Sequence, residues 1–207
     1  MQRFRVFLFV FALCWLSLGA APAHAQERDD WEVFETDLYS LGDQIFSITL
    51  GTVFPTVFVG RDGPITHNFR PPVGGLISLG YSYFLGAHVF LGLDISFAFN
   101  RTIAKNMYFA VPFGIYGGWQ FLFRRFEFPV SLMLGMAPQR YVDMRYMGMF
   151  MRLRGSAFYR FSPEWSFGLN TDWSWYPQRP KRDGKPFPEG NVDGMVMGVT
   201  LSARYHF

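Results

Sequence analysis

Isolated charged side chains are the residues of this sequence best suited to specific chemistry. They occur singly within segments of apolar and small residues, and the set comprises Asp94, Glu127, Arg152, Arg154, Arg160, Asp172 and Arg204. Unpaired charge in a narrow, partly dry interior is costly, so acids and arginines placed there are expected to pair. We therefore predict a network of buried ion pairs.

The histidines form no recognisable enzyme constellation. His67 lies near Asp62, but no serine is convincingly paired with it. His88 and His206 fall in other parts of the chain. The sequence also has no metal-ligand spacing and no phosphate-binding motif. We predict no catalytic residues, no metal, no cofactor and no enzymatic activity.

Eight segments with alternating side chains carry the charges. In the clearest one, Leu91, Leu93 and Ile95 alternate with Gly92 and Asp94. Successive side chains of a strand point to opposite faces, so each segment has an apolar face and a small or polar face. The segments are residues 45–54, 74–84, 89–99, 107–121, 126–137, 147–161, 165–176 and 195–207. Each contains the roughly 9–11 residues that a tilted strand needs to cross a bilayer.

The connections between these segments alternate in length. Residues 85–88, 122–125 and 162–164 are tight turns, whereas 55–73, 100–106, 138–146 and 177–191 are longer. This pattern is typical of an all-β, eight-stranded antiparallel up-and-down transmembrane barrel with short periplasmic turns and longer extracellular loops. A soluble sandwich is the alternative fold.

Aromatic residues cluster at both ends of the segments, and the loop-end group includes Tyr108 and Tyr176. Aromatic rings with polar tips favour the headgroup level of a membrane. Two such rings favour the barrel over the sandwich.

The first 25 residues have the features of a signal peptide. Arg3 and Arg5 precede an apolar run at 6–18, and Ala23 and Ala25 fit a cleavage site. The only cysteine, Cys14, lies in this segment, and a lipoprotein anchor is the less favoured interpretation. We predict a signal peptide at 1–25, a periplasmic N-terminal lead at 26–43 that is either a short amphipathic helix or disordered, and a barrel domain at 44–207.

A signal peptide followed by a barrel pattern predicts an outer-membrane protein of a bacterium with two membranes.

Removing Arg3 and Arg5 lowers the formal net charge from +3 to +1. That near balance gives no case for nucleic-acid binding.

The tight turn at Pro163 suggests which charges meet. Reflecting the flanking strands about it places Arg154 opposite Asp172 near the membrane midplane, with Asp94 as a further partner. A second cluster near the periplasmic end would contain Glu127, Arg160 and Arg204. The network either fills and rigidifies the lumen or acts as a gate in a small pore.

Separately, Pro112 and Pro129 lack a ladder donor and mark a candidate lateral opening.

The end of the chain resembles the C-terminal assembly signal of outer-membrane barrels. Apolar or aromatic residues alternate up to the terminus, at Leu201, Ala203, Tyr205 and Phe207. Together with the turn at 162–165, this architecture resembles the OmpW/OprG family and the OmpA transmembrane domain. The resemblance implies recognition by the barrel-assembly machinery through the last strand, contact with outer-membrane lipids, and a monomer.

Two functions follow from these resemblances. An OmpW-like protein would be a narrow passage for small, hydrophobic molecules, which the inward Phe90, Met133, Phe150 and Phe158 favour. An OmpA-like protein would be a closed structural barrel whose extracellular loops mediate adhesion or other surface contacts. The fourth loop is basic, with Arg179, Lys181, Arg182 and Lys185, and could touch anionic headgroups or polymers.

Overall fold

The structure of the chain is a computed structural model. It describes residues 39–60, 63–64, 73–101, 107–141, 144–178, 181–182, 185–186 and 192–207. The signal peptide predicted at 1–25, and the part of the predicted lead up to residue 38, lie outside these ranges.

Eight long strands form the barrel, and each follows an alternating segment of the sequence. They are β1 Gln44–Gly60, β2 Gly74–Phe84, β3 Val89–Arg101, β4 in two parts (Met107–Ala110 and Phe113–Phe123), β5 Phe126–Tyr141, β6 Met144–Arg160, β7 Trp165–Gln178 and β8 Val192–His206. Two short additions are Gly63–Pro64, paired with β1, and a small hairpin of Lys181–Arg182 with Lys185–Pro186. The described residues contain no helix long and apolar enough to span a membrane.

Each strand pairs antiparallel with its sequence neighbours, and β1 pairs with β8 to close the sheet. The predicted all-β, eight-stranded antiparallel barrel is therefore confirmed. Following the register from Asp94 in one direction around the barrel reaches Phe150, and following it in the other reaches Arg160. This ten-residue offset on β6 means that the strands are strongly tilted, as closure of a small barrel requires.

The two faces of the sheet differ as the alternation predicts. Outward side chains are apolar and exposed in the isolated chain, for example Leu93 at 59% and Ile115 at 58%. Inward positions hold polar, small and aromatic residues, most of them buried. A continuous apolar outer surface is suited to lipid, because a soluble barrel would expose polar residues there.

Two loop-end aromatics differ from the prediction. Tyr108 and Tyr176 pack inside the barrel, around buried Ala110, Met133 and Phe150. Tyr176 shares the inward parity of Asp172 on β7, so its ring points to the lumen and does not belong to the outer aromatic ring.

The third extracellular connection also differs from the prediction. β5 continues to Tyr141 and β6 starts at Met144, and these two residues pair. Most of the loop predicted at 138–146 is therefore paired strand. The apolar alternation ends here because an arginine, Arg140, occupies an outward position. Backbone hydrogen bonds between strands do not require apolar side chains, so the pairing continues beyond the pattern.

Candidate functional site

Four charged side chains meet near the middle of the lumen, and we call them the midplane cluster: the buried Asp94, Arg152 and Asp172, and the partly buried Arg154. Arg154 on β6 and Asp172 on β7 are cross-strand partners, and their Nε and Oδ1 atoms are 2.5 Å apart. Arg154 Nη1 also lies 3.7 Å from Asp94 Oδ2. Arg154 therefore lies between two carboxylates, which balances its buried charge.

Arg152 forms a connection across the lumen. Its Nη1 lies 3.3 Å from Asp94 Oδ1 and donates to Ser96 Oγ at 3.1 Å. Its Nε donates to Ser174 Oγ at 3.3 Å, and its guanidinium lies over the ring of Phe150. Since β3 and β6 are separated by β4 and β5 in the sheet, this side chain joins walls that share no backbone hydrogen bonds. Arg152 is 1% exposed.

A second group, the periplasmic cluster, lies nearer the tight turns: Tyr39, Glu127, Arg160, Arg204 and His206. Glu127 is its centre and is fully buried. The carboxylate lies 3.5 Å from Arg160 Nη1 and 3.8 Å from Arg204 Nη1. Glu127 thus lies within ion-pair distance of both arginines predicted to accompany it in a lower cluster.

Tyr39 enters this cluster from the N-terminal side of β1. Its hydroxyl lies 3.0 Å from both Glu127 oxygens and donates to that carboxylate. Its ring stacks on Phe84 with 3.9 Å between centroids. Burial and the Glu127 carboxylate raise the pKa of the Tyr39 hydroxyl above its ordinary value, so it remains a donor.

Alternation in the sequence does not indicate a role for Tyr39, because this residue precedes the first strand and lies outside the two-residue pattern. His206 belongs to the same cluster. Its Nδ1 lies 3.2 Å from the Tyr39 hydroxyl, and its Nε2 lies 2.9 Å from Ser166 Oγ. Gln120 was also missed; it donates to Glu127 at 3.2 Å.

Hydroxyl and amide groups line the space between the two clusters. Thr49 and Ser202 are hydrogen bonded at 2.5 Å, and Asn170 donates to Ser202 at 2.8 Å. Ser82 is bonded to the Tyr116 hydroxyl at 2.5 Å. Such a polar layer suits a lumen that side chains fill.

The two prolines proposed as a lateral opening affect different seams of the sheet. Pro112 divides β4, but Pro112 O accepts from Ser96 N at 2.8 Å, and Val111 N donates to Pro138 O at 2.9 Å. Hydrogen bonds thus continue on both sides of this break.

Pro129 pairs with Gln120 on its β4 side. On its β6 side, the ladder has partners at Glu127 and Val130 but none between them. The interruption at Pro129 thus lies between β5 and β6, a different seam from those that Pro112 borders on β4.

Sequence comparison identifies relatives of the whole barrel. A protein-family model matches residues 25–205. An uncharacterized protein of Treponema pallidum (strain Nichols) is 34% identical over 184 residues, which cover 81% of this chain and 84% of the relative.

Structure comparison finds outer-membrane barrels at low sequence identity. Neisserial surface protein A is similar with a TM-score of 0.55 and 9% identity, over 78% of this chain and 97% of that protein. The outer membrane protein OprG from Pseudomonas aeruginosa is similar with a TM-score of 0.53 and 9% identity, over 82% and 97%. At this identity the likeness identifies the fold and leaves the activity open.

Proposed function

The chain belongs to the family that includes the Treponema pallidum protein and has the fold of an outer-membrane β-barrel, and we propose that its lumen is closed. The observation that carries this proposal is the contact of Arg152 with Asp94 across the barrel, 3.3 Å between nitrogen and oxygen, with both residues buried. A solute moving through the centre would have to separate this pair. That step is costly, because each ion would be left unpaired in a poorly solvated interior.

The periplasmic cluster supports the same proposal. Glu127 is held by two arginines and Tyr39, and the Tyr39 ring stacks on Phe84 in the periplasmic mouth. A cavity beside the midplane cluster measures only about 10 Å³, roughly the space of one water. The lumen side chains would then act as structural supports of the wall.

We place the activity of such a closed barrel on its extracellular side. The hairpin of β5 and β6 has strands of 16 and 17 residues, more than the roughly 9–11 needed to cross the bilayer. Arg140, on the outward face of this extension, is exposed. The fourth connection contributes the basic segment with Lys181, Arg182 and Lys185. These features favour contact with anionic polymers or headgroups at the cell surface.

Conductance in planar bilayers tests whether the lumen is closed. The refolded protein is expected to give no discrete current steps. The double variant Asp94→Ser with Arg152→Ser removes the connection across the lumen and is expected to give small steps. Stable steps from the unaltered protein would contradict a closed lumen.

The surface role is tested separately, by binding of the folded protein to dextran sulfate beads before and after neutralising Arg182 and Lys185.

A second candidate function is passage of small hydrophobic molecules through the wall. It is favoured by the interruption of the β5–β6 ladder at Pro129, which lies beside an internal cavity lined by Ser156 and Phe158. Uptake of an apolar fluorophore into liposomes containing the refolded protein would support it. Pro129→Val adds a backbone donor and should then slow uptake, whereas equal uptake by empty liposomes would argue against passage.

Assembly and oligomeric state complete the proposal. We propose that the barrel-assembly machinery recognises β8 through Leu201, Ala203, Tyr205 and Phe207. Leu201 and Phe207 are 65% and 67% exposed on the outer face, so a partner could reach them before lipid covers them. We also expect a monomer, since the outer face is uniformly suited to lipid.

A further inference from the structure

A cavity of about 20 Å³ lies between the midplane and periplasmic clusters. Arg154 of the first cluster and Arg204 of the second both line it, together with hydroxyl groups that include Ser47, Ser131 and Ser156. The volume accommodates roughly one water-sized sphere or a slightly larger one. The site therefore has room for a single small species between two guanidinium groups.

The charges around this cavity do not balance. Among the described residues, the two clusters contain three carboxylates (Asp94, Glu127, Asp172) and four guanidiniums (Arg152, Arg154, Arg160, Arg204). One positive charge is therefore in excess, and protonation of His206 or Glu127 would increase that excess. A buried net charge is unfavourable unless a counter-charge accompanies it.

Hydrogen-bond donors are also in excess at the cavity. Thr49 is hydrogen bonded to Ser202, and Ser82 is hydrogen bonded to Tyr116. Each pair has two hydroxyl hydrogens, and the bond within the pair uses only one of them. Ser156 Oγ is buried and has no hydrogen-bond partner. Asp94, one of the carboxylate partners of Arg154, is already engaged by Arg152, Arg154 and Ser96. The cavity thus offers donors to a species that only accepts.

We propose that this cavity binds one small monovalent anion of the chloride class between Arg154 and Arg204. Such an anion supplies the missing negative charge and accepts from the free hydroxyl hydrogens. A water molecule fills the space equally well but supplies no charge and must itself donate two hydrogen bonds. The anion would connect the two clusters, which otherwise share no direct ion pair among the described residues.

Bromide provides a direct test because its anomalous X-ray scattering identifies it. Crystals of the refolded protein grown in sodium bromide are expected to show an anomalous peak inside the barrel, in contact with Arg154, Arg204 and Ser156. Anomalous peaks on the outer surface alone, with electron density in the cavity that has no anomalous signal, would overturn the proposal.

Solution measurements give an independent test. At fixed ionic strength, the urea midpoint of unfolding should be higher in sodium chloride than in sodium gluconate, since gluconate is too large for the cavity. Ser156→Ala removes a hydroxyl without a protein partner, so the variant should fold and bind chloride more weakly. The half-saturating chloride concentration should rise roughly tenfold. Arg204→Met should abolish the chloride dependence.

Arg140→Met is the matched control, since Arg140 is exposed on the outward face and its loss should leave the chloride dependence intact. If Arg204→Met fails to fold, the Ser156 variant decides the question. Equal midpoints in chloride and gluconate, or an unchanged chloride dependence in Ser156→Ala, would refute the site.

Discussion

Arg152 and Asp94 form an ion pair, 3.3 Å between Nη1 and Oδ1, that joins two strands with two others between them in the sheet. Strand order in the closed sheet places β6 across the lumen from β3, and the tilt of the strands sets the height at which Arg152 meets Asp94. It provides a link between opposite walls that backbone pairing cannot provide. The stability of the barrel should depend on it more than on any exposed charge.

Asp94→Asn tests this dependence. The amide keeps the shape of the side chain but leaves the buried Arg152 without its carboxylate, which should lower the free energy of unfolding by about 3 kcal/mol. Urea unfolding followed by tryptophan fluorescence measures the change. Glu164→Gln, in an exposed turn, is the control and should change stability by less than about 0.5 kcal/mol. Similar losses in both variants would show that the link across the lumen has no special role.

Charge reversal at the Arg154–Asp172 pair should be partly rescued by the reciprocal change. Asp172→Arg places two guanidiniums at paired positions and should reduce the fraction of folded barrel, seen as loss of the heat-dependent gel shift. Adding Arg154→Asp restores opposite charges there. Rescue will be incomplete, because the new aspartate also faces Asp94, which lies 3.7 Å from Arg154 in the unaltered protein. No rescue at all would mean that the pair does not act as a unit.

Much of this site follows from a two-residue period and one tight turn. Lipid outside the barrel requires apolar side chains at alternate positions, so the sequence shows that Leu93 faces outward and Asp94 inward. The short turn at Pro163 fixes the register of β6 against β7, and Arg154 and Asp172 are indeed cross-strand partners. Both inferences use only local geometry.

The contact between Arg152 and Asp94 lies beyond such reasoning, although the expected approach of Asp94 to Arg154 is present at 3.7 Å. The approach of Arg152 to Asp94 depends on the offset accumulated around all eight strands, which no single hairpin reveals. Tyr39 was missed for another reason: it reaches Glu127 from a segment without strand periodicity. The prediction of a long third loop was wrong because outward Arg140 ends the apolar pattern while β5 continues to Tyr141.

Tyr39→Phe tests the contribution of the N-terminal segment. The ring can still stack on Phe84, but Glu127 loses its hydroxyl donor, and the free energy of unfolding should fall by about 1–2 kcal/mol. Tyr39→Ala should cost more, since it also removes the stacking. Tyr83→Phe, on the outer face, is the control and should have little effect. Equal stability of Tyr39→Phe and the unaltered protein would indicate that the other donors to Glu127 suffice.

Inward aromatic rings lie over glycines of the adjacent strand, and Gly168 beneath Phe158 is the clearest case. These residues are cross-strand partners, and a Cβ on Gly168 would come within 2.3 Å of the backbone oxygen of Ala157 and 2.6 Å of a Phe158 ring atom. Gly168→Ala should displace the ring, disturb Arg204 stacked 3.5 Å from its centroid, and cost about 1–3 kcal/mol. Gly155→Ala is the control, because the nearest atom to its Cβ would be 3.7 Å away. A Phe158→Leu background should reduce the Gly168 effect; additive losses would contradict the proposed contact.

Phe207 should matter for assembly in the cell more than for the stability of the finished barrel. Its side chain is 67% exposed, while its backbone N–H donates to Gln44 O at 3.0 Å, a bond that any residue can make. Phe207→Ala is therefore expected to lower the yield of folded protein in the outer membrane several-fold, with urea unfolding of the refolded protein nearly unchanged. Phe161, exposed by 71% at the same end of the barrel, provides the matched control, and Phe161→Ala should leave the yield intact. Equal yields for the two variants would show that the chain end carries no assembly signal, whereas a lower refolded stability for Phe207→Ala would assign the residue a packing role.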